Sequence, residues 1–287
     1  MSNIKRIETI YSQGTAEDQE DGLCVNLPLV GVIDGLSAPF HHEMERPLFN
    51  GMSGGQMVRQ EILKALYSAN NDETLEKILL HANKQVGIIQ SEHGIPLDRA
   101  DLLAGACIVV ARLSQNNIDI IQAGDCFAIW ITNKGRIGFT KNQASLHEVE
   151  IRETWRIIQQ TEGIQDRRET WVKFHKPLSS LRLRDINQIN QPTGYGLLNG
   201  QALFEKCWQR LIIPLENLKL LILFSDGLLP LLLDPGNEEF LAKEMIALYK
   251  QRSLKGILEE TRNFEKKEKE RHIEHGEATA IAIEFEE

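Results

Sequence analysis

Leu221-Ile222-Leu223-Phe224-Ser225-Asp226-Gly227-Leu228 is the stretch on which the reading of this chain turns. Its apolar run, from Leu220 to Phe224, has the length and composition of a strand, and it stops at a carboxylate followed by glycine. A charged carboxylate at the rim of a buried strand costs desolvation unless it is paired or bound to a metal. Two more acids stand where apolar runs end: Asp34, also followed by glycine, after Leu29-Val30-Gly31-Val32-Ile33, and Asp125, preceded by glycine, after Ile120-Ile121-Gln122-Ala123-Gly124. Glycine in Asp34-Gly35 and Asp226-Gly227 permits a tight turn and lets a backbone carbonyl face a ligand. Hard divalent cations such as Mg²⁺ and Mn²⁺ take such oxygen ligands, completed by water. An Asp-Gly pair also suits a plain turn after a strand, and the residues alone leave both readings open.

Working outward, further strand-length runs span Ala106 to Leu113, Ile118 to Ala123 and Phe127 to Ile131. Ser114-Gln115-Asn116-Asn117 reads as a hairpin loop and Asn133-Lys134-Gly135 as a turn. Strands joined so tightly must be antiparallel. Three- and four-residue apolar spacing predicts helices over Gly55 to Ser68, Glu73 to Ser91, Glu238 to Gln251 and Ser253 to about Arg271. A closing strand, Ala278-Thr279-Ala280-Ile281-Ala282-Ile283, follows them. This order favours a layered α+β fold in one domain over residues 1–287. Asn142 to Gly200 is polar, with Trp155 and Trp171 among many charges, and is expected to be a mobile or inserted segment. Glu265 to Glu270, EKKEKE, reads as a solvated helix face.

Composition narrows the function. A hydrophobic fraction of 42% with 25% charged residues is that of an ordinary globular protein, not a disordered one. A formal net charge of −9 argues against a nucleic-acid-binding surface and suits metal cations better. Cys24, Cys107, Cys126 and Cys207 form neither a CxxC pair nor a zinc-type cluster. No run approaches the roughly 18 apolar residues of a membrane span, and the first residues lack a secretory signal. A reducing cytoplasm, with no membrane partner, is the expectation.

Glu20-Asp21, then Asp34-Gly35 with its apolar lead-in, Gly105-Ala106-Cys107, Gly124-Asp125-Cys126, Ser225-Asp226-Gly227-Leu228 and Glu277-Ala278-Thr279-Ala280-Ile281 follow one another in an order and rough spacing that resembles the type 2C metal-dependent serine/threonine protein phosphatases. The resemblance spans nearly the whole chain. It implies a layered α-β-β-α sandwich, two antiparallel sheets flanked by helices, with two Mn²⁺ or Mg²⁺ ions at one edge. It further implies that Asp34 bridges both metals, that Gly35 lends its carbonyl, and that Glu20 and Asp226 each hold one metal. Asp21 would support the site, and Asp125 would help hold a third, weaker ion. The implied activity is hydrolysis of phosphoserine or phosphothreonine on a phosphoprotein substrate by a metal-bridging water, centred on Asp34 and Asp226.

The chain departs from the family pattern in three places. Leu36-Ser37-Ala38-Pro39 follows the first Asp-Gly, and Ser53-Gly54-Gly55 comes only after a loop holding His41, His42, Glu43 and Glu45, which could cover the site. Gly276 stands where the family has its last ligating aspartate, leaving Glu277, or Glu274 or His275, to substitute. Gln13 to Gln19 lacks the usual basic phosphate-binding residue, for which Lys5 or Arg6 are the available replacements. These losses keep two alternatives open: a pseudophosphatase that binds without turnover, and a hydrolase of a small phosphorylated molecule.

Overall fold

The computed structural model describes residues 4–38, 47–70, 72–228, 237–269 and 276–286. The loop with His41, His42, Glu43 and Glu45, the leucines after Leu228, and Glu274 and His275 lie outside the described residues. One sheet is ordered β1 (Ile4–Ser12), β10 (Ala278–Phe285), β9 (Leu218–Phe224), β6 (Phe127–Thr132) and β7 (Ile137–Phe139). The other is ordered β2 (Gly22–Asn26), β3 (Leu29–Leu36), β4 (Gly105–Leu113), β5 (Asn117–Ala123) and β8 (Gln209–Pro214). Every ladder is antiparallel.

The strands with the most continuous apolar sequence are those buried on both faces. On β3, Val30 and Val32 join Val109, Ile120, Leu221, Leu223, Ile281 and Ile283 in the core between the sheets. Their neighbours Leu29 and Ile33 face the opposite way, under α1 (Gly54–Ser68) and α2 (Leu75–Glu92). On β9, Leu220, Ile222 and Phe224 pack under α5 (Glu238–Lys269) with Leu241, Met245 and Ile246. Helices thus cover both outer faces, as the expected α-β-β-α layering requires. The two helices expected near the carboxyl end are parts of α5, broken at Ser253, whose φ of 61° is non-helical.

Asn142 to Gly200, the segment expected to be mobile or inserted, is largely helical. It holds α3 (Ser145–Glu162) and α4 (Arg167–Asp185), packed together through Trp155, Trp171 and Phe174 with ring centroids 5.2–6.3 Å apart. Buried His147 meets Asp185 at 2.7 Å, and Arg184 donates to both oxygens of Glu150 at 2.9 and 2.6 Å. After α4 the chain returns to the second sheet, where Leu198 bridges Ala106. The EKKEKE run is not wholly solvated either: Glu265 is buried and accepts from Arg262 at 2.8 Å.

Candidate metal centre

Asp34 lies on β3, Asp125 directly after the β5 segment, Asp226 after β9, and Asp21 just before β2. The glycines beside them do different work. Gly124 turns the chain with φ of 77°, which a side chain would strain. Gly35 and Gly227 have no such φ; they are small because other backbone lies against them. A Cβ at Gly35 would meet the Glu20 carbonyl oxygen at 2.4 Å, and one at Gly227 the Glu277 carbonyl oxygen at 1.5 Å. The glycine in both Asp-Gly pairs therefore serves close approach rather than a turn, and it draws Glu20 and Glu277 up to Asp34 and Asp226.

These carboxylates act on one another. Burial first, then the charges of Asp21, Asp226 and Asp125, hold the Asp34 carboxyl well above the usual carboxylate range. A hydrogen bond between Asp34 and Asp226 raises Asp34 further and acts in the opposite direction on Asp226. Burial raises Asp125 to about 7, with Glu148 adding to it. Asp226 also rises to about 7, through the protein packed around it and then the charge of Asp125. Its side chain nonetheless stays open to solvent, so an ion can reach it. Asp21, 2% exposed, is raised to about 6 by burial, against the hydroxyl of Ser225, which donates to it at 2.9 Å.

Glu20 and Glu277 are placed differently. The Glu20 carboxylate accepts from the hydroxyl of Ser37 at 2.5 Å, from that of Ser53, and from the Ser37 N–H at 3.2 Å. Ser53 also caps α1 by accepting from the Gln56 N–H at 3.2 Å, so the start of that helix and the Glu20 side chain are held by one hydroxyl. Glu277 Oε2 accepts the backbone N–H groups of Glu20 at 2.8 Å and Asp21 at 2.6 Å, so contact with a metal would fall to Oε1. The family's last aspartate position, Gly276, carries no side chain. Arg262 donates to the Gly276 carbonyl at 2.9 Å and to Ser12 at 3.2 Å.

Two groups escaped the sequence reading. Glu148, in the first turn of α3, hydrogen-bonds Asp125, and the charge of Asp226 pushes it up after burial does. It comes from the polar segment, where no strand end flags it. Arg59 of α1 donates to the carbonyls of Gln19 at 2.6 Å and Asp21 at 3.2 Å, bringing a cation beside the acidic loop. Lys5 and Arg6 do not fill that place. They sit at the other end of β1 from Ser12, and they pair with Glu284 at 3.4 Å and Glu8 at 3.2 Å respectively.

Among the described residues, no three His, Cys, Asp or Glu side chains form a ready-made metal cage. The donor set still fits a hard divalent ion that keeps several waters. It is all oxygen, the charges that act on Asp34 after burial are those of Asp21, Asp226 and Asp125, and Asp125 Oδ1 has no hydrogen-bond partner. Among the described residues no helix is long and apolar enough to cross a membrane.

No family model matches the sequence, and no curated protein matches it. Solved structures do match the fold. The Mycobacterium tuberculosis serine/threonine phosphatase PstP/Ppp superposes with a TM-score of 0.59 at 14% identity, covering 98% of this chain and 99% of that one. The catalytic domain of the serine threonine protein phosphatase PstP in complex with two manganese ions gives 0.56 at 14% identity, covering 98% and 97%. PppA, a regulatory component of T6SS in Pseudomonas aeruginosa, gives 0.57 at 14% identity, covering 99% of each. Along essentially its whole length, this chain has the fold of the type 2C serine/threonine phosphatases.

Proposed function

We propose that the chain is a divergent member of the type 2C family, a Mn²⁺- or Mg²⁺-dependent phosphatase acting on phosphoserine or phosphothreonine of a protein. One observation carries the proposal: Asp21, Asp34, Asp125 and Asp226, from four separate elements, lie where desolvation first, and after it the charge of a neighbouring carboxylate, pushes each carboxyl upward, an arrangement that bound cations relieve. The match in fold to PstP, itself solved with two manganese ions, supports it.

Asp34 and Asp226 would carry the two metals, with the Gly35 carbonyl and Glu20 completing one side. Asp125, with Glu148 beside it, would serve a weaker third ion. The ions would supply Lewis-acid charge and a water of lowered pKa. The chain's own part is positional. Ser37 and Ser53 orient Glu20, Ser225 fixes Asp21, and Glu277 pins the loop that carries both acids. A thiolate mechanism does not suit this protein. All four cysteines are buried and free, and burial raises every thiol, Cys24 and Cys207 to about 11. Free thiols also fit a reducing cytoplasm.

A pseudophosphatase is favoured by one specific feature, the missing side chain at Gly276 together with the commitment of Glu277 Oε2 to backbone. Assay of the purified protein with Mn²⁺ on a phosphothreonine peptide and on a small aryl phosphate separates the readings. Faster turnover of the peptide is expected. Preference for the small ester would point to a small-molecule hydrolase, and metal binding without turnover of either would point to the pseudophosphatase.

A further inference from the structure

Between the α3–α4 hairpin and the sandwich lies a cavity of about 590 Å³, within the range of roughly 300–1,000 Å³ common for small-ligand sites. Its walls are mostly apolar, formed by Ile151, Trp171, Phe174, Leu178 and Tyr195. Arg182 of α4 also lines it. That side chain is only 5% exposed, its Nε has no acceptor, and its Nη2 donates to the Leu103 carbonyl at 3.2 Å. Among the described residues no carboxylate forms an ion pair with Arg182. Asp101, the acid on the adjoining turn, is taken by Arg99 at 2.8 Å and Ser179 at 2.5 Å. A guanidinium stays charged at any physiological pH, and burying one without an anion is costly. The cost is met if an anion enters the cavity.

We infer that this cavity is a binding site for an aromatic monocarboxylate, its carboxylate on Arg182 and its ring among Trp171, Phe174 and Tyr195. The planar guanidinium matches a carboxylate, and the aromatic walls match a ring. The remaining charged groups on the wall decide against a multiply charged phosphate ester. Asp125 and Glu148 line the side toward the metal centre, and His147 is held by Asp185. A second anionic group would meet those two acids. The cavity adjoins the proposed metal centre through Asp125 and Glu148, but the groups that would hold the ligand, Arg182 and the aromatic wall, take no part in the metal chemistry.

The test is a calorimetric titration of the whole chain with 3-phenylpropionate, in chelator so that no metal-bound anion contributes, with 3-phenylpropanol and inorganic phosphate as controls. Saturable binding of the carboxylate alone is expected, accompanied by a change in tryptophan fluorescence from Trp171. Arg182→Met should weaken binding by about tenfold or more, and the unliganded variant should melt no lower than wild type because it loses an unpaired buried charge. Ile151→Trp, which puts a bulkier ring into the cavity and keeps the guanidinium, should also weaken binding. Equal binding of the alcohol or of phosphate, no binding of the carboxylate, or a lower melting temperature for Arg182→Met would overturn the inference. The last result would mean that Arg182 serves only to hold the Leu103 carbonyl. Because the titration contains no metal and reads no turnover, its failure leaves the phosphatase reading untouched.

Discussion

Glu277 Oε2 accepts the backbone N–H of Asp21 at 2.6 Å and, on the same oxygen, that of Glu20 at 2.8 Å. One carboxylate beside β10 thus clamps the loop that carries two acids of the candidate centre. Removing it leaves two part-buried donors without an acceptor, each costing about 1–3 kcal/mol. Glu277→Ala should therefore lower stability in urea denaturation by at least about 1 kcal/mol, while Glu277→Gln, which keeps an acceptor oxygen, should lose less. Equal loss in the two variants would remove the clamp.

Gly276 offers room for the carboxylate that the family pattern places there. Among the described residues, a Cβ at this position would have only the Gly227 Cα near it, at an ordinary 3.6 Å, and the bond from Arg262 reaches the main-chain oxygen, which any residue keeps. Gly276→Asp should tighten Mn²⁺ binding by about tenfold, as one added hydrogen-bonded charge of roughly 1.4 kcal/mol would do. Isothermal titration reads this directly, and an unchanged Kd would show that Glu277 or another group already fills the position.

Gly55 is where α1 passes closest to the site. A Cβ there would lie 2.6 Å from Glu20 Cδ, a carboxylate already held by Ser37 and Ser53. Gly55→Ala should force Glu20 aside and cost about 1–3 kcal/mol of stability, with weaker Mn²⁺ binding. A variant as stable as wild type would mean that Glu20 moves without penalty.

Acidity gives a prediction whose sign is fixed. Asp carboxyls have an ordinary value of 3.8, but in the folded metal-free protein Asp21 stands at about 6 and Asp125 and Asp226 at about 7. Between those limits the folded state binds more protons than the unfolded one, so these groups lower stability as pH rises through that window. Asp226→Asn removes one such group. In chelator, its melting temperature relative to wild type should climb between about pH 4.5 and pH 7.5, and saturating Mn²⁺ should reverse the advantage. A difference that shrinks with rising pH would contradict the crowded-carboxylate account.

The strand-end acids were legible because β3 and β9 lie between covered faces and carry long apolar runs, and β5, though broken by Asp119 and Gln122, is apolar at Ile118, Ile120, Ile121 and Ala123. A charge at their ends stands out. The fold followed from those runs and from the helical spacing of α1, α2 and α5. Glu148 and the α3–α4 hairpin were not legible, because most of their residues face solvent and the apolar period is diluted by charge. Only Trp155 and Trp171 marked the contact. Arg59 looks like any basic residue on an amphipathic helix; its approach to Asp21 depends on how α1 lies on β2 and β3. The glycines of the two Asp-Gly pairs were legible as important, but the reason, backbone packed against Gly35 and Gly227, belongs to tertiary structure.

The most direct test of the centre itself is phosphate release from a phosphothreonine peptide by wild type and by Asp34→Asn, each with Mn²⁺ and with chelator. The account predicts release by wild type that chelator abolishes, and loss of about a hundredfold or more in Asp34→Asn, whose fold by circular dichroism is unchanged. Mn²⁺-dependent release that persists at the wild-type rate in Asp34→Asn would contradict it.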